Sequence, residues 1–360
     1  MRFLTTAFIR FTFVLCTAVL AVPADAQWTN RYPHVGTGHH VYLEGYELPT
    51  MNVGPTSPAV SPEGDRVAFS ARGWIWMLDI QTGLATRITD GKEMDFRPAW
   101  SHDGTELAFV RDDSRDTWIV VRNLETDEER VINTPAIDLD PVFGPQGEII
   151  YSSAAAGRFD LWSDNGTALT EGRPYELKPS LSRDGDVLVH LQKGGGLDRV
   201  VAVNRATGDS KQLLTDGILS QTRPAISPDG SYLAYNWPTQ EGYELRVLGV
   251  TDPSTSVFLT GGLRGLPLSP AWSPDGTWLW FTEAGADEVM RLYRVPAAGG
   301  ETEEVPVLTW DWGAATGTLR VVTRDERIGG GEAPATARLN ILDGSGHPVV
   351  PSSGYAQFEG

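Results

Sequence analysis

Short apolar runs punctuate the chain at nearly even spacing: Val67-Ala68-Phe69, Leu107-Ala108-Phe109, Ile149-Ile150-Tyr151, Val187-Leu188-Val189, Leu233-Ala234-Tyr235 and Leu279-Trp280-Phe281. They are too apolar to alternate cleanly, which suits β-strands covered on both faces by stacked sheets. Each run follows a polar turn ending in glycine, and each turn follows a second short strand headed by a proline. The pairs Pro58/Gly64, Pro98/Gly104, Pro141/Gly147, Pro179/Gly185, Pro224/Gly230 and Pro270/Gly276 share one internal spacing, and successive prolines stand 40, 43, 38, 45 and 46 residues apart. A self-similar unit of this length signals a blade or another stacked element.

The turns carry their own chemistry. In Ser227-Pro228-Asp229-Gly230 and Ser273-Pro274-Asp275-Gly276, proline pre-sets φ, aspartate tolerates the bridge region and glycine takes the left-handed conformation that closes a hairpin. Where the proline gives way to His102 or Arg183 the glycine stays, because only that position needs positive φ. Two residues past each strand proline stands Val60, Trp100, Phe143, Leu181, Ile226 or Trp272, sized to pack on a neighbouring sheet. A third strand follows in most units, as in Trp74–Leu78 and Glu244–Leu248, and a fourth ends in a recurring threonine at 89, 134, 170, 215, 260 and 309. Four strands in each of six units predict an all-β fold, a six-bladed β-propeller of four-stranded antiparallel blades.

The Ser-Pro-Asp-Gly turns after Pro-Ala-Trp or Pro-Ala-Ile strands, with a closing Leu-Thr-x-Gly, resemble the TolB-like propeller repeat (PD40, WD40-like). This repeat occurs in periplasmic TolB proteins and in propellers attached to many secreted hydrolases. The resemblance covers roughly Ser57 to Thr309. It implies a binding module or a substrate-positioning domain.

The flanks predict further organisation. Arg2 and Arg10, an apolar run from Phe11 to Val22 and the site Ala24-Asp25-Ala26 read as a signal peptide over residues 1–26, cleaved after Ala26, and hence a periplasmic or secreted protein. Residues 27–56 read as a lead-in with one strand at Val41–Leu43, and 57–310 as the propeller. Strand patterns at Gly317–Thr323 and Ala337–Leu342 mark 311–360 as the start of a further, truncated β-domain, sandwich-like in pattern. That tail loosely resembles the join in proteins where such a propeller precedes a sandwich and a metal-dependent hydrolase of the amidohydrolase kind.

Charge narrows the partners. The full chain has 29 basic and 47 acidic residues; loss of Arg2, Arg10 and Asp25 with the signal leaves 27 and 46, a net −19. Such a surface disfavours nucleic acid and anionic membranes, and no membrane insertion is expected after cleavage. Cys16, the single cysteine, lies inside the signal, so the mature chain has no disulfide or thiol nucleophile.

Catalytic motifs are missing from the sequence: there is no Gly-x-Ser-x-Gly elbow, no His-Glu-x-x-His and no phosphate-binding glycine loop. No metal or other cofactor is expected. His39 and His40 are adjacent and would point to opposite faces of an extended segment, away from a common ion, and Gly194-Gly195-Gly196 has no following helix. Asp103, Asp184, Asp229 and Asp275 are spread one per blade, as turn residues are.

The remaining candidate surface is the mouth of the central channel. Side chains one and three positions before each innermost-strand proline are expected to share a face, by the period of two along a strand. These are Asp95 and Arg97, Asp138 and Asp140, Glu176 and Lys178, and Gln221 and Arg223. The expected function is a non-catalytic exported module for a protein, peptide or glycan. The alternative is the front part of a larger secreted hydrolase, amidohydrolase-like rather than a serine peptidase, whose catalytic domain lies beyond residue 360. The sequence leaves the oligomeric state open.

Overall fold

The computed structural model describes residues 54–90, 93–113, 116–171, 175–194, 198–216, 223–240, 242–263, 269–284 and 290–307, and the backbone of three later strands. The expected signal, the lead-in through residue 53, Gln221 and the histidines at 34, 39, 40 and 347 lie outside the described residues.

Blade 1 holds β1 (Thr56–Val60), β2 (Arg66–Ala71), β3 (Trp74–Asp79) and β4 (Ala85–Arg87), and blade 2 holds β5 (Met94–Trp100), β6 (Glu106–Asp112), β7 (Thr117–Asn123) and β8 (Glu129–Ile132). Blade 3 holds β9 (Asp138–Phe143), β10 (Ile149–Ser153) and β11 (Asp160–Ser163). Its fourth strand is reduced to one bridge between Trp162 and Ala168. Blade 4 holds β12 (Tyr175–Leu181), β13 (Val187–Lys193), β14 (Asp198–Asn204) and β15 (Ser210–Asp216). Blade 5 holds β16 (Ala225–Ile226), β17 (Tyr232–Thr239), β18 (Gly242–Gly249) and β19 (Ser256–Leu263). Blade 6 holds β20 (Ala271–Trp272), β21 (Trp278–Ala284), β22 (Met290–Pro296) and β23 (Glu303–Val305). Within every blade the strands are antiparallel and in sequence order, as the repeat predicts for a six-bladed propeller.

The six turn glycines, 64, 104, 147, 185, 230 and 276, all have φ between 71° and 86°. Each donates its N–H to the carbonyl three residues back, as Gly230 does to Ser227 at 2.9 Å. The turn aspartates accept their neighbour's serine hydroxyl, 2.7 Å from Ser101 to Asp103 and 2.6 Å from Ser182 to Asp184. These serine bonds hold the Asp103 and Asp184 carboxyls below the ordinary carboxylate range.

The apolar triplets fill the seams between blades. Ala68, Ile75 and Met77 of blade 1 meet Leu107, Phe109 and Val120 of blade 2. Blade 2 meets blade 3 through Val110, Ile119, Leu139, Phe143 and Tyr151. Blade 5 meets blade 4 through Tyr235 and Leu248 against Val189 and Val200, and blade 6 through Leu245 and Val247 against Leu279 and Phe281. The ring closes where Trp280 and Leu292 of blade 6 pack on Val67, Phe69, Trp76 and Leu78 of blade 1. Gly54 lies against the Met290 backbone there, and a Cβ at that position would collide with the Met290 carbonyl oxygen. Among the described residues each blade is built from one contiguous segment, so the closing seam is made by side chains and not by a shared strand.

The blade 3–blade 4 seam is threaded by polar contacts. Ser152, fully buried, accepts the Lys178 N–H at 3.1 Å, and the Glu176 N–H donates to the Phe159 carbonyl at 2.9 Å. Buried polar groups are tolerated because they are bonded in this way.

Three more strands, β24 (Arg320–Glu326), β25 (Thr336–Leu342) and β26 (Tyr355–Gln357), form an antiparallel sheet in that order. The first two fall near the strand patterns read from the sequence; the third was not anticipated.

Candidate functional site

The six innermost strands surround an axial cavity of about 340 Å³. All six run the same way, so the residue before each proline sits at one end and the hairpin turns at the other. Ser57, Arg97, Asp140, Lys178, Arg223 and Ser269 form the first ring. Pro62, His102, Arg183, Pro228 and Pro274 collar the opposite end. Between them the wall is largely apolar, with two indoles, Trp100 and Trp272. Both indoles are fixed: Trp100 Nε1 donates to the Ala59 carbonyl of the preceding blade at 3.0 Å, and Trp272 Nε1 to that of Ala225 at 2.9 Å.

The expected sharing of a face fails for the three described pairs, and a bulge is the reason. Arg97, Asp140 and Lys178, like Ser57, have left-handed backbone with φ of 57°, 54°, 55° and 50°. The ladder register skips there in β1, β5, β9 and β12, which cancels the period-two alternation. Left-handed backbone costs a non-glycine residue about 1 kcal/mol or more, so something must hold it. Side chains of the preceding blade's second strand hold two of them: Ser70 Oγ accepts the Arg97 N–H at 3.0 Å and Ser152 Oγ that of Lys178. At the equivalent position of blade 5, Asn236 Oδ1 accepts the Arg223 N–H at 3.1 Å. These polar anchors were missed in the sequence, although each directly follows an apolar triplet.

The bulge sends the two positions to different places. Arg97, Asp140, Lys178 and Arg223 face the cavity, whereas Asp95, Asp138 and Glu176 are buried inside the blades. Asp95 is held by Arg111 through two bonds, Nε to Oδ1 at 2.8 Å and Nη2 to Oδ2 at 3.0 Å. Glu176 accepts from Gln192 at 2.9 Å and lies 3.7 Å from the buried His190. The recurring threonine serves the same corner: Thr89 and Thr170 accept the N–H groups of Ile75 and Leu161. Thr134 binds Asp138 with its N–H at 2.7 Å and its hydroxyl at 2.8 Å.

Burial pushes the Asp138 carboxyl up to about 6, against the hydrogen bonds from Ser153 and Thr134. The folded protein therefore takes up a proton before the unfolded chain does, and this group lowers stability progressively as pH rises from about 4 to about 6. Asp138→Asn keeps the shape and can still serve both Thr134 groups. The variant is expected to gain about 2 kcal/mol relative to wild type on going from pH 4 to pH 7. Urea melts of both proteins across that range check it; parallel curves would remove the assignment.

At the mouth, Arg97 Nη1 and Arg223 Nη1 both donate to Asp140 Oδ1, at 2.8 and 2.9 Å. Burial acts to raise the Asp140 carboxyl, but Arg97 and Arg223, joined by Lys178, outweigh it and hold the group below the ordinary range. Asp140 is 4% exposed, Arg97 10% and Arg223 13%. Oδ2 of Asp140 is buried and accepts no hydrogen bond from the described residues. Among the described residues Arg97, Lys178 and Arg223 thus bring three cations to the Asp140 carboxylate, with Asp198 also within electrostatic reach of Lys178, in a chain of net charge −18.

Among the described residues no group of three or more His, Cys, Asp or Glu is placed to hold a metal, and no helix is long and apolar enough to cross a membrane.

Comparisons place this geometry among known proteins. The chain is 29% identical over 201 residues to the uncharacterized peptidase YuxL of Bacillus subtilis, covering 52% of this chain and 30% of that protein. It is 26% identical over 257 residues to the Tol-Pal system protein TolB of Francisella tularensis, covering 66% of this chain and 58% of that one. The chain thus spans less than two thirds of either relative. In structure it is similar to TolB from Acinetobacter baumannii, with a TM-score of 0.57, 18% identity and coverage of 74% and 67%. A putative TolB from Agrobacterium tumefaciens gives 0.54, 20%, 63% and 86%. Both share the fold. Residues 50–255 match the family model of the TolB beta propeller domain, PD40, and with more than half its length inside that match the chain belongs to this family.

Proposed function

We propose that this chain is an exported, non-catalytic propeller that captures a protein or peptide segment in the charged end of its axial channel. The observation that carries the reading is the contrast between a strongly acidic chain and a cationic channel mouth above an apolar wall. Such a cavity, with few polar groups at one end, has the form of a recognition site, and its volume lies in the usual range of about 300–1,000 Å³. The likeness to a Tol-Pal system protein supports a protein partner over a glycan. Export rests on the basic and apolar pattern of the first 26 residues.

The test is a variant that neutralises the cluster without stranding a charge: Arg97→Gln, Asp140→Asn, Lys178→Gln and Arg223→Gln together. Panning a random peptide display library against wild type is expected to enrich mutually competing sequences that the quadruple variant no longer retains. Thermal melting of both proteins should coincide within a few degrees. Equal retention by the variant, or no enrichment at all, would remove the channel from consideration.

A second reading has its own support. The match to a peptidase over only part of that protein suits a propeller that positions substrate for a hydrolase domain. The reading frame after residue 360 distinguishes the two.

A further inference from the structure

We infer that the channel mouth recognises the free carboxyl terminus of a polypeptide, with the last amide N–H donated to Asp140 Oδ2 and the terminal carboxylate held by Arg97, Lys178 and Arg223. The inference rests on the binding-module reading and names the chemistry of its ligand.

Two features have to be satisfied by one occupant. Among the described residues that line this end of the channel three are cationic and one, Asp140, is a carboxylate, so an added negative charge is favoured there. It also presents a buried acceptor, Asp140 Oδ2, that no described residue serves. An acceptor left without a donor costs about 1–3 kcal/mol, so a ligand that supplies an N–H there recovers that loss. The matching ligand therefore carries an anion and a donor a few ångströms apart.

Chain-terminal residues have this arrangement by construction. Their N–H and carboxylate are separated by a single Cα, so one can face Oδ2 while the other faces the guanidinium groups. A sulfate offers charge without the donor and brings a second negative charge close to Asp140. An internal Asp or Glu has its carboxylate farther from its N–H and requires the chain to continue in both directions from the site. Guanidinium groups pair well with carboxylates because their planar fork matches both oxygens.

The wall below the ring sets the preferred last side chain. Val60, Trp100, Leu181, Ile226 and Trp272 line it, so an apolar or aromatic terminal residue fits. Asp140 serves two purposes here: it fixes Arg97 and Arg223 in advance through Oδ1, and it leaves Oδ2 to read the ligand's backbone. Preorganisation of this kind reduces the ordering cost of binding.

The experiment uses the full chain and fluorescein-labelled octapeptides of Gly and Ser ending in Leu, Phe or Val, each made as free acid, as C-terminal amide and as an ester-linked acid lacking the last N–H. Fluorescence anisotropy is expected to show the free acid binding at least tenfold more tightly than the amide, with the ester-linked acid several-fold weaker than the free acid. Lys178→Met, which leaves the Arg97–Asp140–Arg223 bonds in place, is expected to weaken the free acid about fivefold and leave the amide unchanged. Equal affinity for acid and amide, both lost in the quadruple neutral variant, would overturn the terminal-carboxylate inference while the binding-module reading stands. No binding by any form would overturn both.

Discussion

Replacing Asp140 with alanine is expected to destabilise the propeller by about 3 kcal/mol, the cost of leaving buried cations without their counter-charge. Arg97 and Arg223 both donate to one oxygen of Asp140, and all three side chains are at most 13% exposed. The same argument predicts a rescue. Adding Arg97→Gln and Arg223→Gln to the Asp140 variant removes the stranded charge and should recover most of the loss, because an isosteric neutral cluster of this kind is often no less stable than the ion pairs. Urea denaturation of the single and triple variants measures both effects. A single-variant loss below about 1 kcal/mol would show that the ring is solvated well enough to stand without its carboxylate. The dependence on pH is opposite in sign to that of Asp138. Asp140 is held low, so its contribution is present above the ordinary carboxylate range and is lost as pH falls through its depressed value. Two aspartates separated by one residue thus pull the acid limb of the stability curve in opposite directions, one from inside the blade and one from the mouth.

Phe281→Ala should cost more again, about 3–5 kcal/mol. Its ring is fully buried in the blade 5–blade 6 seam, stacked on Tyr293 with ring centroids 5.8 Å apart and planes at 22°. Truncation removes the transfer energy of the ring and opens a cavity between two sheets that neighbouring blades prevent from collapsing. Val131→Ala supplies the contrast. That side chain stands 57% exposed on the outer strand of blade 2, and its loss is expected to stay within about 0.5 kcal/mol. A shift in urea midpoint at constant slope would report stability alone, whereas a lower slope for Phe281→Ala would mean that blade 6 detaches before the rest.

The architecture was legible because the features that specify it recur. A glycine needing positive φ and an apolar triplet needing cover on two faces appear in all six units, and six repetitions outweigh local noise. The threonines were visible as a pattern, but their purpose was not, since Thr89 and Thr170 act on backbone N–H groups of another strand. Asp95, Asp138 and Glu176 were misplaced for one physical reason. A residue before proline is ordinarily extended, so nothing in Arg97-Pro98, Asp140-Pro141 or Lys178-Pro179 announces a left-handed bulge. The bulge is held by Ser70 and Ser152 on adjacent blades, 27 and 26 residues away, which a period along one strand cannot reveal. Residues before the prolines therefore reached the cavity, and Asp95, Asp138 and Glu176, two positions earlier, became internal fastenings.

The closing seam has a mechanical corollary. Blades 1 and 6 share no strand among the described residues, so Trp280 and Leu292 on one side and Phe69 and Trp76 on the other act as a clasp without a hook. Tension pulling these two blades apart would load that clasp in the peeling direction, while every other junction is also tethered by the continuous polypeptide. Among the described residues this is the one junction without a covalent tether, so it is the place where opening is expected first, and whatever docks across it would act as its latch.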